Sequence, residues 1–163
     1  LGLSTDTGNF MHSNTTPDTL RTASELLALG ADLGAIVNGF YRNNTKNKLA
    51  LVARAVGSMR YFDDDKVVVM TVTQKDLKET GCVLSDTEGL IDYGMSVGSV
   101  KVAVCMTEQR ERSYKVSLRS KGADVSLVAG AFGGGGHKQA SGCVANGYYE
   151  DVVEKIVRLS SGN

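Results

Sequence analysis

With 163 residues, 42% hydrophobic and 22% charged, the chain can bury the core of one soluble domain, or of one domain plus part of another. Its 18 Lys and Arg balance its 18 Asp and Glu, so net charge argues neither for nor against nucleic acid, and a polyanion would need a local basic patch. Three widely spaced cysteines, Cys82, Cys105 and Cys143, exclude a disulfide scaffold, suit reduced thiols in the cytoplasm and form no Cys-x-x-Cys zinc pair. No apolar run is long enough to span a membrane, and no signal-peptide pattern is seen. The opening Leu1-Gly2-Leu3-Ser4-Thr5-Asp6 lacks an initiator Met and reads as the middle of a structure, so further chain is expected upstream.

Residues 2–15 read as a strand end and a loop, with Asp6 between two threonines and Gly8 just after. A carboxylate there suits a metal ligand or base, although by itself it more simply caps its own turn. His12 and Asn14 are exposed-loop residue types. Thr16-Pro17-Asp18 is a helix start: a capping hydroxyl, proline at the first position and an acid near the dipole. Leu20, Ala23, Leu26 and Leu27 form its apolar face, and Gly30 stops it. Asp32 caps a second helix carrying Ile36, Val37 and Phe40. A third is predicted from about Lys46 to Tyr61, with Leu49, Val52, Val56 and Met59 on one stripe. These helices lack a sheet, so residues 1–62 read as the tail of an upstream domain and a connector. Asp63-Asp64-Asp65 reads as a solvated turn.

A second unit spans residues 66–163. Val67 to Val72 is a β-branched run suited to a strand covered on both faces. Thr73 to Gly81 is a short helix with a capping acid at Asp76 and a glycine stop. Ser85-Asp86-Thr87-Glu88 reads as a capping box opening a helix to about Tyr93, which assigns Glu88 to capping. Val100, Val102, Val104 and Met106 alternate in a strand, and residues 108–112 form a charged hairpin loop. In the next strand Tyr114, Val116 and Leu118 share one face while Ser113, Lys115, Ser117 and Arg119 line the other. Arg119 offers a planar fork for phosphate or carboxylate, although such a face can also be a plain solvent edge. Asp124 caps a helix with Val125, Val128, Ala129 and Phe132 inward. Cys143-Val144-Ala145 closes the sheet, and a final helix carries Val152, Val153, Ile156, Val157 and Leu159. The pattern is an α/β domain around a small mixed sheet flanked by helices.

Between Phe132 and His137 stand Gly133, Gly134, Gly135 and Gly136. Four glycines strip side chains from the backbone and open positive-φ conformations, so several N–H groups can face one anion-binding hollow. His137 and Lys138 follow, at what reads as a short helix start whose dipole favours negative charge. The apolar, helix-like flanks favour such a cradle over a flexible linker. The run is neither a Walker A loop nor a dinucleotide fingerprint.

The strand Val116-Ser117-Leu118-Arg119-Ser120, the segment Asp86-Thr87-Glu88-Gly89, and Phe132 through His137 ending in Ala140-Ser141-Gly142 together resemble the DHHA1 domain. That domain is the C-terminal half of DHH-superfamily phosphoesterases. Thr5-Asp6-Thr7-Gly8-Asn9-Phe10 with Asn14-Thr15 resembles the fourth motif of the DHH catalytic domain, whose aspartate is a manganese ligand. The likeness covers nearly the whole chain, in matching order, and is nearest to bacterial oligoribonucleases of NrnA type that also act on 3′-phosphoadenosine 5′-phosphate. The resemblance implies a two-Mn²⁺ site in the intact enzyme that activates water, with Asp6 as a metal ligand and catalytic residue. It implies that Ser117, Arg119, the backbone of Gly133, Gly134, Gly135 and Gly136, and His137 hold phosphate and nucleoside. Short RNA, dinucleotide or 3′-phosphoadenosine 5′-phosphate would be the substrate, and the intact protein would dimerise through its catalytic half. No Asp-His-His tripeptide is present, and three of the four catalytic motifs are missing, which implies a C-terminal portion inactive alone. The same resemblance admits a non-catalytic nucleic-acid-binding module of the alanyl-tRNA synthetase kind, a cyclic-dinucleotide phosphodiesterase or an exonuclease of the RecJ kind.

Overall fold

The computed structural model describes residues 1–11, 14–40 and 42–162, which fall into two units, Leu1–Asn44 and Thr45–Asn163. His12 lies outside the described residues.

The second unit is built on the β-branched run. β1 (Arg60–Phe62) and β2 (Val67–Val72) pair antiparallel, and β2 then runs parallel to β3 (Val102–Arg110). A parallel pair needs a long crossover, here α5 (Gln74–Thr80), a 3-10 turn (Leu84–Thr87) and α6 (Ile91–Met95), numbered after α4 (Lys46–Gly57). β4 (Ser113–Ser120) returns antiparallel to β3. After α7 (Val125–Gly130) and the glycine run, β5 (Gly135–His137) turns back into β6 (Ala140–Asn146), which inserts beside β4. The strand order is β1-β2-β3-β4-β6-β5, and α8 (Tyr149–Ser161) ends the chain.

Pleat alternation gives the sheet two cores. Val67, Val69, Val102, Val104, Met106, Tyr114, Val116 and Leu118 pack on one face with Val125, Val128, Val152, Val153 and Ile156 of α7 and α8. On the other face Val68, Met70, Val72, Ala103 and Cys105 pack with Leu51 and Ala55 of α4, Leu77 of α5 and Ile91 of α6. This second helix layer covers the β2–β3 half of its face. Lys115, Ser117, Arg119, Ala140 and Gly142, on the β4–β6 half, stay half-buried.

Local chemistry fixes the cover. The Thr73 hydroxyl accepts from the Asp76 N–H at 3.1 Å while Asp76 Oδ2 accepts from the Thr73 N–H at 2.9 Å, and Gly81 stops α5 at φ +67. Burial pushes the Asp76 carboxyl up, but the Thr73 bonds and Arg54 outweigh it and hold it below its usual value. Arg54 Nη1 donates to Asp76 at 3.2 Å and to Glu79 at 2.6 Å, tying α4 to α5. α4 therefore packs with the sheet, and the compact unit that holds the sheet begins at Thr45. Its buried residues are Leu51 and Ala55, while Leu49 and Val56 of the expected stripe are exposed. The expected extension of this helix to Tyr61 is replaced by β1. The Ser58 hydroxyl accepts from the Thr71 N–H at 2.8 Å and donates to the Thr71 carbonyl at 2.9 Å, docking the chain on β2. Asp63, Asp64 and Asp65 all have φ between +51 and +62 and form the tight link between β1 and β2. β3 also outruns its expected end, leaving only Glu111 and Arg112 in the hairpin turn.

In the first unit α1 (Gly2–Asp6) replaces the expected strand end, and Asp6 is its last residue. The threonines flanking Asp6 bond to nearby backbone. Thr7 Oγ1 donates to the Leu3 carbonyl at 2.7 Å and accepts from the Phe10 N–H at 3.0 Å. α2 (Pro17–Ala28) begins at Thr16 as expected, and α3 (Leu33–Phe40) follows Asp32, which accepts from the Ala35 N–H at 2.8 Å. No residue of α2 or α3 is buried among the described residues.

Gly134 sits against β6 so closely that an added Cβ would run into the Gly142 carbonyl and Cys143 Cβ. Gly134→Ala is expected to lower stability by about 2–4 kcal/mol through overpacking against rigid backbone. Gly135→Ala, with nothing within 4 Å of the new methyl, should stay within about 1 kcal/mol. Urea midpoints of the two variants test the contrast.

Candidate functional site

The site grows from the polar face of β4. Arg119 stands opposite Ala103 on β3 and Ala140 on β6, and Ala140 stands opposite His137 on β5. Ser117 stands opposite Cys105 and Gly142, and Gly142 opposite Gly135. Opposed residues of paired strands project to the same face. Arg119, Ala140 and His137 therefore form one row across the sheet, and Ser117, Gly142 and Gly135 the next. His137 lies two strands from Arg119, roughly 10 Å at ordinary strand spacing. The small residues between them keep the floor low, and His137 is exposed above it.

Beside this row, where the helix layer ends, a cleft of about 320 Å³ opens. Thr87, Glu88, Gly89 and Ile91 wall it, Cys105 and Thr107 line it from β3, and Lys115, Ser117 and Arg119 line it from β4. Lys48 of α4 fixes the wall: its ammonium donates to the carbonyls of Asp86 and, at 2.8 Å, Glu88. Arg119 Nη1 donates to the Leu118 carbonyl at 3.1 Å, and among the described residues neither Arg119 nor Lys115 is in an ion pair. A guanidinium, an ammonium and a hydroxyl line one side of the cleft, and among the described residues neither cation is neutralised by an ion pair. Such a set is suited to a phosphate or carboxylate, which the guanidinium can bind through two parallel N–H donors.

The glycine run takes a different form from the expected hollow. Gly133 N–H donates to the Gly130 carbonyl at 2.9 Å and Gly134 N–H to the Ala129 carbonyl at 2.9 Å. Two of the four N–H groups thus close the end of α7. Gly135 and Gly136 enter the ladder with β6. The expected helix start at His137 is a strand, because Ser141 and Ala140 return directly as its partners. Gly133 (φ +74) and Gly136 (φ +143) need glycine conformations, and a Cβ at Gly136 would lie 2.6 Å from the Ala140 carbonyl. The run lets β5 lie tightly against β6, which is how His137 reaches the row of Arg119.

Sequence reasoning missed Thr107 and Cys105, which only folding brings to the cleft, and Lys48, which holds its wall. It also gave Glu88 a capping role. Asp86 holds that role, accepting from the Val83 N–H at 2.7 Å.

Asp6 is exposed in the first unit, where Asn14 Nδ2 donates to its backbone carbonyl at 3.0 Å. Among the described residues no group of three or more His, Cys, Asp or Glu side chains is placed to hold a metal. The donors among the described residues thus do not by themselves make up the two-ion site that the resemblance implies. Among the same residues no helix is long and apolar enough to cross a membrane.

A family model for the DHHA1 domain matches residues 64–161. A probable bifunctional oligoribonuclease and PAP phosphatase NrnA from Streptococcus mutans is 30% identical over 162 residues, covering 97% of this chain and 51% of that protein. The bifunctional oligoribonuclease and PAP phosphatase NrnA of Thermus thermophilus is 33% identical over 161 residues, covering 95% of this chain and 48% of its own. The chain spans about half the length of these curated relatives. The crystal structure of an exopolyphosphatase-related protein from Bacteroides fragilis matches with a TM-score of 0.88 at 26% identity, over 98% of this chain and 47% of that one.

Burial pushes the Cys105 thiol from 9.0 up to about 11, although the Thr107 hydroxyl and the charges of Lys115 and Lys48 pull it down. Between those values the unfolded thiol has lost its proton while the folded one keeps it. The folded state then binds more protons, so this contribution is intact below 9.0 and stability falls as pH rises toward about 11. The expected loss is about 2–3 kcal/mol across the window. Urea midpoints at pH 8 and pH 10.5 should show it in the native chain and show a smaller fall in Cys105→Ala.

Proposed function

The chain belongs to the DHHA1 domain family, and from that premise we propose that it is the substrate-binding portion of a Mn²⁺-dependent DHH phosphoesterase. The proposed substrates are short oligoribonucleotides and 3′-phosphoadenosine 5′-phosphate. The observation that carries the reading is the shared sheet face of Arg119, Ser117 and His137, bordering a cleft whose two cations have no internal ion-pair partner among the described residues. The printed names of the Streptococcus mutans and Thermus thermophilus relatives support the substrate class.

In this reading Arg119 clamps the phosphate of the bound nucleotide and Lys115 adds charge beside it. Ser117 donates to a phosphate oxygen, and His137 contacts the nucleotide across the low floor of Ala140 and Gly142. The glycine run acts mainly by setting the position of His137, with exposed Gly135 as the nearest backbone to the ligand. Held by these contacts, the substrate loses rotational freedom before it meets the reacting groups, which is where such binding assists hydrolysis. The manganese ions would supply Lewis acidity and an activated water. Asp6 is one prospective ligand for them, and the remaining donors have to come from outside the described residues.

Titration calorimetry with a 5′-phosphorylated diribonucleotide should detect binding to the 163-residue chain. Arg119→Ala and His137→Ala should each weaken it by about 1–3 kcal/mol, the range for losing a charge-assisted hydrogen bond. Unchanged affinity in both variants would remove the assignment. The chain alone with Mn²⁺ should show negligible hydrolysis of the same dinucleotide.

A further inference from the structure

One acidic residue, exposed Glu88, lines the cleft together with Lys115 and Arg119. Glu88 lies in its wall, and the capping duty that would have occupied its side chain belongs to Asp86. Its backbone is anchored, since Lys48 Nζ donates to the Glu88 carbonyl at 2.8 Å. Its side chain has no ion-pair partner among the described residues, although Lys115 and Arg119 line the same cleft. Gly89, next to it, has φ +79 and faces open space, so the wall is not crowded there.

An ionised carboxylate only accepts hydrogen bonds. A ligand that is anionic throughout would meet repulsion at Glu88 as well as attraction at Lys115 and Arg119. A ligand that joins an anionic group to neighbouring hydroxyl donors satisfies both sides. We propose that Glu88 is a specificity-determining residue that selects sugar-bearing phosphoesters, by accepting from ribose hydroxyls, over bare polyphosphate chains. This rests on the phosphoesterase reading above and narrows it: the cleft accepts ribonucleotides better than deoxyribonucleotides or polyphosphate of similar charge. The physical basis is asymmetric. When the hydroxyl is absent the Glu88 carboxylate loses a charge-assisted hydrogen bond and, being exposed, regains only water.

The test measures binding of three probes to the 163-residue chain: a 5′-phosphorylated diribonucleotide, its deoxy counterpart and tripolyphosphate. The native chain is expected to prefer the ribonucleotide over the deoxynucleotide by about tenfold, the scale of one charge-assisted hydrogen bond, and to bind tripolyphosphate more weakly still. Glu88→Gln removes the charge at nearly constant shape. It should bring the ribo-to-deoxy preference below about threefold and raise affinity for tripolyphosphate, with the thermal unfolding midpoint unchanged. Equal binding of ribo and deoxy probes by the native chain would overturn the role of Glu88 without needing any variant, and would leave the phosphoesterase reading standing. So would a preference that Glu88→Gln leaves intact. No binding of any probe would overturn both.

Discussion

The period-two alternation of β4 is the constraint on which the rest of the second unit depends. Because successive side chains of a strand point to opposite faces, Tyr114, Val116 and Leu118 enter a core under α7 and α8, and Lys115, Ser117 and Arg119 are left on the other side. A shift of one residue in the pairing with β3 or β6 would bury the cations and expose the apolar set. The register is therefore enforced by the core, and the cleft inherits its geometry from that enforcement. The helices on the polar side pack mainly on β2 and β3, with α6 reaching β4, and the cleft opens beside α6.

The cations of the second unit divide by what they face. Arg54 bridges Asp76 and Glu79, Arg60 donates to Glu150 at 2.9 Å, and Lys48 is held by two backbone carbonyls. These tie one element to another, and the exposed pairs among them contribute little to stability, typically less than about 1 kcal/mol. Among the described residues Lys115 and Arg119 form no ion pair, and both line the cleft. Both are half-buried, in a place where solvent screening is weaker.

The glycine run shows how one composition can serve two physical ends. A cradle of N–H groups and a close approach of two backbones both require the absence of side chains. Here the contacts at Gly134 and Gly136 show the second use, and the N–H groups of Gly133 and Gly134 are spent on α7. The positive charge of the region accordingly sits on side chains of β4, with β5 bringing an imidazole to the same face.

Much of this was written in local sequence. The alternation at 113–120, the β-branched run at 67–72, the Thr73–Asp76 box with its Gly81 stop and the Asp124 cap each depend on residues a few positions apart, and each appears as expected. The sharing of one face by Ser117 and Arg119 follows from strand periodicity alone. Their row with His137 does not, because it requires β6 to insert between β4 and β5, a pairing set by long-range packing. For the same reason the wall of the cleft, its tie to Lys48 and the freeing of Glu88 by Asp86 came only with tertiary structure. Segments with competing local signals went the other way. Residues 2–15 read as a strand end and a loop, yet hydroxyl-to-backbone bonds of Thr5 and Thr7 closed a helical turn around Asp6. The sequence by itself determined which residues alternate and which cap. Tertiary packing decided which faces meet, because contacts between distant segments carry no local signature.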